Sequence, residues 1–216
     1  MTDPKYSGSP EGARYLFSCT SSPDEWDALS RMDDSRTVRF YGTHPWYFGR
    51  HDGERLKDIL EADPKACVGE IGLDSRRGSV TEQHDAFMEQ LALCKRYERP
   101  ANVHMIGCES DMLKAVRSSG AVCILHSFTG PESYIHPFAE CGCYFSVSPR
   151  MMRKDRRKIR LILSAIPEDR LLLETDAPNS DTNILAHISA VADVLEMDPE
   201  ELARITIRNC ASLIPS

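Results

Sequence analysis

A chain of 216 residues with 41% hydrophobic content is long enough for one sizeable core, and a single domain is the expectation. It contains no apolar run of about 18 residues and no apolar signal core after Met1, which argues against a membrane span and for a cytoplasmic protein. A formal charge of −7 argues against loose whole-surface binding to nucleic acid, and eight cysteines without a Cys-x-x-Cys pair read as mostly buried thiols, not a disulfide framework.

A Gly/Pro/Ser-rich flexible leader ends near Gly12, and one domain is expected over 13–216. Seven short apolar runs follow in order: Tyr15–Cys19, Val38–Gly42, Ala66–Glu70, Ala101–His104, Val122–His126, Cys143–Val147 and Leu171–Thr175. Amphipathic stretches separate them. The clearest is 82–97, where Phe87, Leu91 and Cys94 recur at helical spacing, and this alternation predicts βα units around a mostly parallel sheet. Helix starts are expected at Ser22-Pro23, at Thr81 and at Asp198-Pro199. A closed (β/α)8 barrel needs eight strands, so one is unaccounted for, and an unclosed edge would leave strand hydrogen-bonding groups open to a partner chain.

Ionisable groups interrupt strands that should be apolar throughout. Glu70, His104, His126 and Asp176 each stand at or just past the end of a run, where barrel enzymes place their chemistry. Intervals of 34, 22 and 50 residues correspond to one, one and two βα units, so the four side chains are expected to meet at one mouth. Strand alternation keeps each on the inner face with Val68, Asn102, Ile124 and Glu174, respectively. Two imidazoles and two carboxylates suit a divalent cation such as Zn²⁺, Mn²⁺ or Fe. A buried ion-pair network without a metal is the other reading of the same four residues.

Several blocks then resemble one family in order: Gly42-Thr-His-Pro45, Val68-Gly-Glu-Ile-Gly-Leu-Asp74, Gln83 with Phe87, Gln90 and Leu91, Pro100-Ala-Asn-Val-His104, Ile124-Leu-His-Ser-Phe-Thr-Gly130, Tyr144-Phe-Ser-Val-Ser148 and Leu171-Leu-Leu-Glu-Thr-Asp-Ala-Pro178. They are similar to the TatD-type deoxyribonucleases. The resemblance implies a TIM-barrel-like (β/α)8 fold and divalent-metal hydrolysis of phosphodiester bonds in DNA, often as a 3′-to-5′ exonuclease. It also implies that Glu70 bridges two metals, that His104 and His126 hold the second, and that Asp176 touches the first and helps to deprotonate the attacking water.

The chain departs from that pattern in three places. The family's first strand ends in His-x-His, and residues 1–12 contain no histidine, so that strand is expected to be the missing or altered one and the metal site to be reduced to one ion of Zn, Mn or Mg. Ile106 stands where the family usually has an arginine, and the stretch after Pro178 is shorter than the family's Arg-rich loop. A catalytically impaired relative, or a hydrolase of another bond, are the alternatives these departures raise. His44 is read either as a contact to the metal mouth or a substrate phosphate or as part of a packed loop, and Asp74 as either an orienting group or a loop cap. Within the basic run 150–160, Arg150 and Arg153 are read as substrate contacts if the run lines the cleft, the other reading of the run being a solvated helix face. His51, His84, His136 and His187 are expected to be structural or exposed.

Overall fold

The computed structural model describes residues 12–177, 180 and 182–215. The expected leader therefore lies outside the described residues except for Gly12, as does part of the stretch from Pro178 to Asn183.

Among the described residues seven strands, β1 (Leu16–Cys19), β2 (Thr37–Tyr41), β3 (Cys67–Asp74), β4 (Ala101–Ile106), β5 (Cys123–Leu125), β6 (Tyr144–Val147) and β7 (Leu171–Leu173), form one sheet in sequence order. Every neighbouring pair is parallel. The sheet curls into a TIM-barrel-like half-barrel, with β1 and β7 at the ends of its order. Among the described residues eight helices occur, in chain order α1 (Trp26–Ser30), α2 (Gly53–Ala62), α3 (Val80–Tyr97), α4 (Glu109–Ser119), α5 (Ile135–Glu140), α6 (Arg156–Ala165), α7 (Ile184–Leu195) and α8 (Pro199–Leu213). None among the described residues is long and apolar enough to cross a membrane.

Alternation along the strands sorts the core into two clusters. Val38, Phe40, Cys67, Ile124, Tyr144 and Leu172 form one, finished by Leu213 and by partly buried Phe17, Cys19 and Ile214. Their neighbours Tyr41, Val68, Cys123, Leu125, Phe145 and Leu171 belong to a larger cluster with the helices, where Phe87, Leu91, Met112 and Phe138 are buried. Each such large side chain contributes about 1.5–3 kcal/mol of burial. The eight cysteines are free, and five of them, Cys67, Cys94, Cys108, Cys123 and Cys143, are buried, as the composition suggested.

Two local expectations need correction. Helix α3 is capped by Ser79, whose side chain accepts from the Thr81 backbone N–H, not by Thr81 itself. The serine two residues upstream satisfies the free Thr81 amide, and Val80 opens the helix. Ser22 precedes a short 3-10 turn, Pro23–Glu25, and makes no side-chain cap bond, whereas Asp198 caps α8 as expected, accepting from the N–H groups of Glu200 and Glu201.

Strand β3 carries a register shift between Val68 and Ile71. There the Glu70 N–H leaves the ladder and donates to the Thr20 carbonyl at 2.9 Å, while Thr20 N–H donates to Gly69 O at 3.3 Å. A bulge of this kind re-aims one side chain without ending the strand, and the residue re-aimed is Glu70.

Candidate metal centre

Helix α3 holds the loops that follow β2 and β3 by two buried glutamines. Gln90 accepts from Thr43 N–H at 2.8 Å and donates to Thr43 O at 3.2 Å, which fixes the loop carrying His44. Gln83 accepts from Asp74 N–H at 2.8 Å and donates to the Asp74 and Arg77 carbonyls at 2.9 and 2.8 Å. The backbone groups of Thr43 and Asp74 and both glutamine side chains, all buried, are thereby satisfied.

Glu70 stands at the middle of the site. One of its carboxylate oxygens is 3.1 Å from His104 Nδ1, 3.7 Å from His44 Nε2 and 3.9 Å from His126 Nε2. His126 Nε2 lies in turn 3.4 Å from Asp176, whose other oxygen is 3.6 Å from Arg150. The four residues singled out at the strand ends are therefore contiguous. His44, Glu70 and His104 form a group whose ligand atoms lie within 4.8 Å of one another.

Each imidazole has its far nitrogen engaged. His104 Nε2 is 3.0 Å from the buried carboxylate of Asp74, leaving Nδ1 towards Glu70. His126 Nδ1 is 3.0 Å from Glu174, leaving Nε2 towards Glu70 and Asp176. A carboxylate on one imidazole nitrogen fixes the tautomer and makes the other a better metal donor, so these two histidines fit a divalent cation. His44 differs. Its Nδ1 accepts the Trp46 backbone N–H at 3.2 Å, which places the proton of the neutral ring on Nε2, on the side of Glu70. Burial foremost pushes the His44 imidazole down to about 4, against the pull of Glu70, so the neutral ring prevails at neutral pH.

The site seeks a cation. Burial opposes the charge on Glu70, yet His126, His104 and His44 outweigh it and hold the carboxyl at about 2. At His126 burial opposes a protonated ring, but the carboxylates of Glu174 and Glu70, with Asp176, hold the proton well above the usual histidine range.

Asp74 both caps its loop and orients His104. It accepts the Arg76 N–H at 2.9 Å, the Arg76 guanidinium at 3.1 Å and the Trp46 indole N–H at 2.9 Å. Burial works against its charge, but these donors, with His104, keep the carboxyl well below its usual range.

Glu174 entered the sequence reading only as the face-mate of Asp176, and the structure gives it more to do. Its carboxylate accepts from Ser127 N–H at 2.8 Å and from Ser146 Oγ at 2.5 Å while facing His126. Glu174→Gln keeps the shape and puts an amide donor among donors. It is expected to lower metal affinity or turnover by about 10–100-fold, measured by metal titration and rate together; values within twofold of the unmodified chain would remove this positioning role.

Strand β7 ends at Leu173, and Asp176 reaches the site through a left-handed backbone, φ 55°, so strand alternation is not what brings it there. The basic run does not form one positive region at the mouth. Arg150 reaches Asp176, Lys154 donates to Thr129 O at 2.8 Å, and Arg153 is exposed on the 3-10 turn Met151–Arg153. Arg156 and Arg160 face away, pairing with Asp193 and Glu196 beside α7, because α6 packs against that helix. Among the remaining histidines, His51 pairs with Glu89 at 3.3 Å, His187 is buried with Nε2 at 2.9 Å from Val147 O, and His84 and His136 lie beside Asp85 and Glu140 on their own helices.

A family model described as "TatD related DNase" matches residues 9–215. An uncharacterized metal-dependent hydrolase, YabD, of Bacillus subtilis is 27% identical over 174 residues, which is 73% of this chain and 68% of that protein. The putative deoxyribonuclease TATDN3 of Mus musculus is 30% identical over 178 residues, 75% of this chain and 58% of that protein. A 3′-5′ ssDNA/RNA exonuclease TatD of Klebsiella pneumoniae is 33% identical over 153 residues, 63% and 56% of the two chains. The chain thus spans 56–68% of the length of these three curated relatives. Among solved structures, the TatD homologue YjjV of Escherichia coli superposes with a TM-score of 0.83 at 23% identity, over 95% of this chain and 88% of that one, which shows the shared fold.

Proposed function

This chain belongs to the family of TatD-related DNases, and from that premise we propose that it is a divalent-metal phosphodiesterase that cleaves DNA, working from the 3′ end. The observation that carries the reading is the pair of histidines, His104 and His126, each held by a carboxylate on its far nitrogen and turned towards Glu70.

Glu70, His104 and His126 would hold the metal, with Asp176 beside it. Three protein ligands leave positions open for water and substrate. When bound, a divalent cation supplies a Lewis acid that polarises a phosphoryl oxygen and acidifies water. Asp176 is the carboxylate placed to take the proton from the attacking water, and Glu70, ionised at neutral pH, balances the cation. The His44 Nε2–H is a donor for a phosphate oxygen that enters beside Glu70. Arg150, half exposed and 3.6 Å from Asp176, is the cation of the basic run that meets the substrate at the mouth, and Arg153, exposed one turn further out, is assigned to the strand beyond it.

The test is degradation of an end-labelled single-stranded oligonucleotide by the purified chain with Mn²⁺ or Mg²⁺, beside an EDTA control and a His104→Ala variant. Shortening from the 3′ end that stops with EDTA and in the variant is the expected result. No cleavage with any of the metals, or cleavage untouched by EDTA, overturns the reading.

A further inference from the structure

Two of the large apolar side chains left exposed on this chain, Trp46 and Tyr47, are adjacent to the centre just described; they are 42% and 41% exposed. Trp46 is held in place on several sides. Its indole N–H donates to Asp74 at 2.9 Å, and its ring centroid is 5.0 Å from that of His44 and 6.4 Å from that of His104. The Arg77 guanidinium lies 4.3 Å from the indole centroid, on a loop that Gln83 fixes by its bond to Arg77 O. Next to it, the Arg50 guanidinium lies 5.9 Å from the Tyr47 ring. A single surface tryptophan is ordinary, and so is one arginine over a ring. A tethered aromatic with arginines beside it, touching the histidines of a phosphodiesterase centre on a chain of net charge −7, is what unpaired nucleic acid requires: a π-face for the base and local positive charge for the backbone.

We propose that Trp46, backed by Arg77, is the platform on which an unpaired nucleobase next to the scissile phosphate stacks. The inference rests on the nuclease reading above. A base inside a duplex already has both faces covered by its neighbours and is not free to stack, whereas the bases of a single strand are. Because the indole is fixed by Asp74, it adds stacking area with little ordering cost.

The experiment measures binding, in EDTA so that nothing is hydrolysed. Fluorescence anisotropy compares a labelled single-stranded oligonucleotide with one of the same length and charge whose sugars near the 3′ end lack bases. The intact oligonucleotide is expected to bind about 5- to 100-fold more tightly, the preference to disappear in Trp46→Ala, and Trp46→Phe to keep most of it. Trp46→Phe retains a ring and loses the bond to Asp74, so it separates stacking from an effect passed through Asp74 to His104. Indole emission gives a second readout, since Trp26 is buried, at 1% exposure, and Trp46 is the other tryptophan of the two; the intact strand should quench it and the abasic strand should not. Equal binding of the two strands, a preference that survives Trp46→Ala, or a Phe variant as weak as the Ala variant overturns the platform while leaving the nuclease reading in place. Failure to bind any strand, together with no cleavage in the metal assay, removes the nuclease reading itself. Should Trp46→Ala fail to fold, the abasic comparison and the Phe variant still decide.

Discussion

Glu70→Gln is expected to lower metal affinity and hydrolysis together by about 10³-fold or more, while leaving the fold in place. Removing an outer partner of a metal ligand costs roughly 10–100-fold and removing one preorganised charge contact at a reacting centre roughly 10²–10³; Glu70 fills the inner position to which three imidazoles converge. The amide keeps the volume but not the charge, and the bulge that aims the side chain is made by backbone bonds through Thr20 that the substitution does not touch. Losing that carboxylate also removes one of the two main supports for the proton on His126, whose imidazole should titrate lower in the metal-free variant. Calorimetric titration with Mn²⁺ or Zn²⁺ is the check: one equivalent for the unmodified chain, none measurable for the variant, and an unchanged melting temperature without metal. A variant that binds and turns over within about threefold of the unmodified chain would show that Glu70 is not the central ligand.

The second large effect is structural and reaches the same site from behind. Gly72 has φ +137° and pairs across the β3–β4 ladder with His104. A Cβ at Gly72 would press on the His104 carbonyl oxygen and lie 2.9 Å from its carbonyl carbon, both of them backbone atoms with nowhere to go. Gly72→Ala combines a backbone conformation that L-residues rarely adopt with a strand–strand collision, and about 3 kcal/mol or more of stability should be lost. For a chain of this size that corresponds to a fall of about 6–12 °C in melting temperature. The collision pushes β4 away at the residue that presents Nδ1 to Glu70, so the surviving folded protein should bind metal more weakly as well. A melting temperature within about 2 °C of the parent would contradict the steric argument.

How far these positions could be read from the chain alone depends on what kind of pattern each leaves. The strands were legible because residues buried on both faces produce unbroken apolar runs, and Glu70, His104 and His126 stood out as ionisable groups that such runs do not tolerate. Asp176 was legible by composition but not by the reason offered for it: β7 stops at Leu173, and a left-handed turn carries the aspartate inward. Glu174, Trp46 and the pairing of His104 with Asp74 were out of reach, because hydrogen bonds between residues 28, 30 or 48 positions apart leave no periodic trace. The basic run left two readings open for a related reason. Seven cations in eleven residues look like one surface, but on a helix their directions spread, and the acids of α7 claim two of them. Gln83 and Gln90 were the signal that could have been pressed further. Polar residues seven apart on the apolar side of a helix are two turns in register, and both had to be bonded to something.

Those two glutamines give α3 a role unlike that of the other helices. Their separation along the axis is about 10.5 Å, and each is fastened to the backbone of a different loop, one leading to His44 and the other to Asp74. The helix is therefore a ruler: the distance between the His44 imidazole and the carboxylate paired with His104 is graduated in helical turns, not in the length or softness of the loops. Lengthening either loop would leave that distance unchanged, whereas inserting a single residue between positions 83 and 90 would rotate one mark by about 100° and leave the two loops answering to different rulers.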